Sequence, residues 1–295
     1  MKLWNFILLI LLSCGSSSSA HPNLKVVVSF SILKDLVENV GAEFVTVTSL
    51  VGPNSDAHTF EPSAESAQLL SEANLIFMNG LGFEGWMPRL VESTKTKAQV
   101  VIVSQHIKPR TFEINSSLSF DPHAWHDVKN TITYVDNIEK ALLELLPEAS
   151  EIIRRNASNY RQKLRDLEAW IYKELKDIPS QKRIIITAHD AFGYLSDAYK
   201  IKFLAPQGLT TESEPSVQEV VSLVNKIKEY NVKVLFVENI SNERLIRHIA
   251  EETGATIGGM LYSDALSEKD QPAATYIDMM KINIQLLKSG MLKNK

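Results

Sequence analysis

From Pro147 to Lys176 the chain runs thirty residues with no glycine and no internal proline. Apolar or aromatic residues recur at Ile153, Ala157, Tyr160, Leu164, Leu167, Ile171 and Leu175, in steps of three and four. That spacing draws one apolar stripe down an α-helix. Pro147 suits a helix start and Pro179 marks the stop. At 1.5 Å per residue the segment is about 45 Å long, more than most globular helices. Two ordinary helices or a coiled coil would also satisfy the stripe. A single rigid helix running between two lobes is the more constraining reading, because its stiffness limits how far the lobes can hinge.

On either side of this segment, strand-like and helix-like stretches alternate. Before it, short β-branched runs at Lys25–Phe30, Phe44–Val51, Asn74–Met78 and Gln99–Val103 alternate with helical patterns at Ile32–Val40, Ser63–Ala73, Gly82–Glu92 and Asp127–Leu146. After it, strands are expected at Arg183–Thr187, Lys202–Leu204, Val232–Val237 and Ala255–Gly258, with helices at Val217–Glu229, Asn242–Thr253 and Ala273–Lys288. Strands alternating with helices imply parallel sheets and an α/β class. A length of 295 residues accommodates two such domains. The expected organisation is a leader and tether over 1–20, an N-terminal α/β lobe over 21–146, a linking helix over 147–178 and a C-terminal α/β lobe over 179–295.

Composition removes several function classes. With 31 Lys+Arg against 35 Asp+Glu, the formal charge is −4, without the basic excess of a nucleic-acid binder. Cys14 is the only cysteine, so no internal disulfide and no cysteine-rich zinc site can form. Hydrophobic and charged fractions of 44% and 22% are those of a globular protein, not of a disordered chain. Met1–Leu12 (MKLWNFILLILL) carries one lysine and an apolar run too short to span a bilayer, the pattern of a secretory signal. Two cleavage readings compete. Leu11-Leu12-Ser13-Cys14 resembles a bacterial lipobox, after which Cys14 would be lipidated and Gly15 with four serines would form a flexible tether. Ordinary cleavage after Ala20 is the alternative.

Three of the seven histidines fall in loops that follow or connect strands. His58 lies in Gly52–Pro62, rich in Gly, Pro and Asn; His123 lies in Asp121-Pro122-His123-Ala124-Trp125-His126-Asp127; His189 directly follows a strand, in Thr187-Ala188-His189-Asp190. Ligands of open α/β sheets bind outside the carboxyl ends of the strands, where such loops converge. Each histidine taken alone reads as an ordinary surface residue. Asp264, in Tyr262-Ser263-Asp264-Ala265-Leu266, follows the last strand and alone would read as a helix cap. Together the four form an imidazole and carboxylate set that suits Zn²⁺, Mn²⁺ or Fe²⁺. Metal-bound imidazoles need an outer acceptor, and Asp121, Asp190, Glu61 and Glu214 stand near these positions in sequence. His106 and His248 read as surface or packing residues, and His126, one helical turn after His123, is a weaker candidate ligand.

These motifs, in this order, resemble the metal-binding receptors of bacterial zinc and manganese ABC importers, the adhesin-type family of periplasmic solute-binding lipoproteins. The resemblance is carried by Asp56-Ala57-His58-Thr59-Phe60-Glu61-Pro62, by Asp121-Pro122-His123-Ala124-Trp125, by Ala188-His189-Asp190-Ala191-Phe192-Gly193-Tyr194 and by Tyr262-Ser263-Asp264-Ala265-Leu266, and it covers essentially the whole exported chain. It implies two α/β lobes on one rigid helix with a metal between them, His58 and His123 as ligands from the first lobe, and His189 and Asp264 from the second. It further implies a monomer that captures Zn²⁺ or Mn²⁺ in the periplasm or on the outer face of the cytoplasmic membrane and passes it to an ABC permease. The family's third ligand varies between Glu and His, and a histidine here leans toward zinc. Many zinc receptors also carry a His-rich loop, whereas Ile107–Phe120 contains no histidine. An exported zinc hydrolase is the competing function, although the chain has neither an HExxH nor a GxSxG motif. An adhesin role has no direct support in the residues.

Overall fold

The computed structural model describes residues 23–114 and 117–294. The leader, Cys14, Ala20 and His21 lie outside them. The first half carries β1 (Leu24–Phe30), α1 (Ser31–Gly41), β2 (Val45–Val51), α2 (Ala64–Glu72), β3 (Leu75–Met78), α3 (Met87–Thr94) and β4 (Gln99–Ile102). The four strands are parallel in the order β2-β1-β3-β4. β1 is central and buried from Val26 to Phe30, which is why it reads as a continuous apolar run. Ser63 caps α2 through a reciprocal capping box with Ser66. α3 starts at Met87, later than the expected Gly82, because Leu81 and Gly82 take φ of 56° and 86° and turn the chain first. An antiparallel hairpin that the sequence did not announce, β5 (Thr111–Ile114) with β6 (Ser117–Phe120), precedes α4 (Val128–Leu145).

The apolar stripe of the glycine-free segment is one continuous helix, α5 (Ser150–Leu175). All seven stripe residues are buried, and the helix packs on α1 and α4. Pro147 starts a short 3₁₀ turn, Pro147–Ala149, so the α-helix begins three residues late. Its 26 residues span about 39 Å. At its carboxyl end Arg183 donates from Nη2 to the Leu175 carbonyl at 2.6 Å and from Nε to that of Ile178 at 3.0 Å, placing a cation where the helix leaves acceptors unpaired.

The second half carries β7 (Ile184–Ile186), α6 (Gly193–Tyr199), β8 (Lys202–Leu204), α7 (Val217–Glu229), β9 (Val234–Glu238), α8 (Arg244–Thr253), β10 (Thr256–Leu261) and α9 (Tyr276–Lys293). Its parallel sheet has the order β10-β9-β7-β8. Counted within each half, both sheets place their strands second, first, third, fourth, so the shared rhythm of the halves is a shared topology. β9 alternates between two cores. Val234 and Phe236 join the main core, whereas Leu235 and Val237 pack with Leu223, Ile227 and Ile249 of α7 and α8. α9 begins at Tyr276, capped by Thr275, and packs on α5 as well as on β9. Gly290 permits that approach, since a Cβ there would lie 2.8 Å from the Phe236 ring. Among the described residues, no helix is long and apolar enough to cross a membrane.

Candidate metal centre

Four loops that follow strands, two from each half, bring their side chains together. His58 sits in the loop after β2, where Asp56 Oδ1 accepts its backbone N–H at 2.9 Å and Trp86 Nε1 donates to the Ala57 carbonyl at 2.8 Å. His123 follows the hairpin, and its backbone N–H donates to Asp121 Oδ1 at 3.0 Å. His189 follows β7, and Glu238 Oε1, at the end of the adjacent β9, accepts from the N–H groups of Ala188 and His189 at 2.7 and 3.0 Å. Asp264 follows β10, its loop fixed by Trp125 Nε1, which donates to the Ser263 carbonyl at 2.9 Å. The backbone of every histidine in the group is therefore clamped by a carboxylate, in two cases from the Asp-x-His spacing itself.

All four side chains are buried, and one donor atom from each lies within 4.8 Å of the others. Asp264 Oδ2 is 3.2 Å from His58 Nε2 and 3.3 Å from His189 Nε2, and Oδ1 is 3.7 Å from His123 Nε2. His58 and His123 bring their Nε2 atoms to 3.3 Å. Donors at about 2.0–2.1 Å from a tetrahedral zinc would be roughly 3.3 Å apart, so the three separations of 3.2–3.3 Å match edges of such a polyhedron, and that from His123 to Oδ1 is longer. Both Asp264 oxygens and His189 Nε2 are buried without a hydrogen-bond partner. Unpaired acceptors in a dry interior are costly unless a cation satisfies them.

The outer contacts aim the imidazoles. His123 Nδ1 lies 2.8 Å from Asp121 Oδ1, and His189 Nδ1 lies 2.6 Å from Glu238 Oε2. A carboxylate on Nδ1 holds the proton there and turns the Nε2 lone pair toward the centre. Arg110 Nη1 pairs with Asp121 Oδ2 at 2.6 Å, and its Nε with Asp197 of α6 at 2.7 Å. Gly193 lies beneath this guanidinium, where a Cβ would overlap Arg110 Nη1 and come within 2.6 Å of Asp121 Oδ2. Among the described residues Asp121 pairs with the Arg110 guanidinium, whereas the buried Glu238 and Asp264 pair with histidines of the cluster, and their two negative charges match a divalent cation. Without an ion, the charges redistribute protons. Burial lowers the pKa of His189, but Glu238 and Asp264 outweigh it and hold the imidazole well above its usual value. Burial raises that of Asp264, yet His123 and His189 hold it well below the carboxylate range. Phe83 meets His58 edge-on at 4.8 Å and Trp125 meets His123 at 5.4 Å, an aromatic wall that keeps water out.

The other sequence candidates sort differently. His106 and His248 are exposed. His126 is fully buried but outside the four-residue cluster, its ring tilted by 39° against Phe192 at 4.6 Å with neither ring nitrogen hydrogen-bonded. Burial, reinforced by His123, brings its pKa down to about 3, so it is a neutral aromatic filler. Of the four nearby acids, Asp121 alone contacts a histidine of the cluster; Glu61 and Glu214 are exposed. The acceptor for His189 is Glu238, which the sequence did not single out. Its only signal was a carboxylate ending a buried strand beside another strand that ends in a histidine.

Known proteins share this architecture. The family model described as zinc-uptake complex component A, periplasmic, matches residues 26–290. A curated relative, the manganese-binding lipoprotein MntA of Halalkalibacterium halodurans, is 36% identical over 97% of this chain and 95% of its own. Among solved structures, the periplasmic zinc-binding protein TroA of Treponema pallidum superposes with a TM-score of 0.87 at 29% identity, covering 91% of this chain and 99% of its own. A manganese-bound periplasmic metal-binding protein from Candidatus Liberibacter asiaticus gives 0.82 at 28% identity, over 91% and 99%.

Proposed function

Because the chain belongs to the family of periplasmic zinc-uptake component A, we infer that His58, His123, His189 and Asp264 are the ligands of its transported metal. The protein is the extracytoplasmic substrate-binding component of an ABC importer for manganese or zinc, its partner is the importer's membrane permease, and it is not an enzyme. The observation that supports the ligand assignment is the convergence of three Nε2 atoms and one carboxylate from both halves, buried and partly unpaired. Four protein donors fill a tetrahedral sphere, leaving no open position of the kind a zinc hydrolase needs for its water. Three imidazoles favour zinc, and the two oxygens that Asp264 offers also accommodate manganese.

We further propose lobes over 21–146 and 179–295 on a linking segment 147–178, with the burial of α5 along one whole face supporting a stiff connection. Cys14 is proposed as a lipid anchor, in keeping with relatives named as lipoproteins, and the working unit as a monomer. The test is elemental analysis of protein purified from its own compartment, followed by competition between Zn²⁺ and Mn²⁺. His58→Ala and His189→Ala should each abolish retention of metal through gel filtration. Unchanged metal content in these variants would refute the assignment.

A further inference from the structure

We propose that segment 205–216 is a strap across the metal centre, and that the hydrogen bond from Thr211 to Asp56 sets how fast the metal leaves. The proposal rests on the ligand assignment above. The four proposed ligands have at most 5% relative exposure, so an ion cannot leave until some segment moves aside. Thr211 Oγ1 donates to Asp56 Oδ2 at 2.5 Å, across 155 residues of chain. The other oxygen of that same carboxylate accepts the His58 N–H at 2.9 Å.

The strap is equally attached to the opposite ligand. Gln207 forms a parallel β-bridge with His189, and the Gly208 carbonyl accepts from Asp190 N–H at 3.0 Å. Gln207 Nε2 donates to the Ser213 carbonyl at 2.8 Å and folds the strap on itself. Hydrogen bonds therefore lead from the His58 backbone through Asp56 to Thr211, and the strap's own backbone carries the connection on to the His189 and Asp190 backbone. A cavity of about 330 Å³ lies behind this run, lined by Asp56, Ala188, Thr211, Glu214 and Arg244 among others. It touches both ligand loops and offers oxygen donors to a departing cation. Asp56 and Thr211 are only partly buried. Local openings are drawn from the least stable, most solvated contacts, and this bond fits that description.

The experiment loads the purified protein with Zn²⁺ and follows release into excess EDTA. Thr211→Val keeps the side chain's shape and removes the hydroxyl; it should release zinc about tenfold faster, the scale of one hydrogen bond to a charged group. Thr211→Ser restores the donor and should release within about twofold of the parent. The metal-free Tm of Thr211→Val should fall by only a few degrees, the loss of one hydrogen bond, with Thr211→Ser at the parent value; a larger fall would trace the faster release to general destabilisation and overturn the latch. Release of the Val variant at the parent rate would overturn the strap, as would a Ser variant as fast as Val. If the parent itself retained no zinc, the ligand assignment would fall, and the strap with it.

Discussion

The two halves touch along two seams, and the seams are built differently. On the Asp264 side the contacts are numerous and mostly buried. Leu266 N–H donates to Ser31 Oγ at 2.9 Å, Asn54 N–H to the Leu266 carbonyl at 2.9 Å, Trp125 Nε1 to the Ser263 carbonyl and Tyr276 N–H to Asp35 Oδ2 at 2.9 Å. On the His189 side α6 is held by the Arg110 bracket, whose Asp197 partner has a 64% exposed side chain. It is also held by the Tyr194 hydroxyl, which accepts from Arg110 N–H at 2.9 Å and donates to the Asp121 carbonyl at 3.1 Å. The segment over His189 is tied by the part-buried Thr211–Asp56 bond. Exposed ion pairs are worth little, and a part-buried hydrogen bond opens more readily than a set of fully buried polar contacts, which are costly to unpair. Asp264 is thus carried on a segment bonded to the first half through buried contacts, whereas the strap beside His189 is tied to it through the part-buried Thr211–Asp56 bond. A metal site assembled across both seams can open from one edge while the other stays fixed.

The largest expected effect probes the fixed seam. Burial pushes the Asp35 carboxyl up to about 6, against the hydrogen bonds it accepts from Tyr276 and Tyr160. Its ordinary value is 3.8, so the folded state holds the proton more tightly than the unfolded one. That contribution is complete below about pH 4 and is lost as pH rises through about 6, lowering the unfolding free energy by at most about 3 kcal/mol. Asp35→Asn should remove this slope. Urea titrations of metal-free protein between pH 4 and 7 would show it as a pH-dependent difference between parent and variant, and a flat difference would contradict the role.

The next effect lies on the edge that opens. Glu238 positions His189 through both backbone and Nδ1. Glu238→Gln keeps the shape but removes the charge, and outer-contact changes of this kind typically weaken metal binding about 10–100-fold. Competition with a fluorescent chelator measures it, with the melting curve of the metal-free variant as the control for folding. Affinity within twofold of the parent would mean that His189 is oriented by its loop alone.

The contrast between seams also explains what could be read from the residues beforehand. α5 was legible because seven apolar positions bury one face, a pattern local to the segment. The loop histidines were legible because each follows or precedes a recognisable element, so that topology brings them to one edge. Glu238 was not, since its role depends on β9 lying beside β7, a pairing across 49 residues. α6 escaped notice because it begins at Gly193, a poor helix former held there by the close passage of Arg110. The hairpin over Thr111–Phe120 is short and lies outside both main sheets, so no run of core residues announced it. His126 stood as the weaker candidate because spacing alone put it near His123, and tertiary packing sets its ring against Phe192 outside the four-residue cluster.

The smallest effect is the sharpest test of the asymmetry. Tyr276 is fully buried, accepts from Thr131 Oγ1 at 2.9 Å and donates to the Trp125 carbonyl at 2.7 Å, stitching α9 to the loop that carries His123. In Tyr276→Phe the ring still fills its place, and Thr131 can keep its own bond to the Trp125 carbonyl at 3.1 Å. The loss of unfolding free energy should therefore be about 1 kcal/mol. Zinc release into EDTA should be unchanged, because this seam is not the one that opens. If Tyr276→Phe released zinc as fast as Thr211→Val, the two seams would be yielding together, and the hinge would have to be sought in α5 and not at either edge.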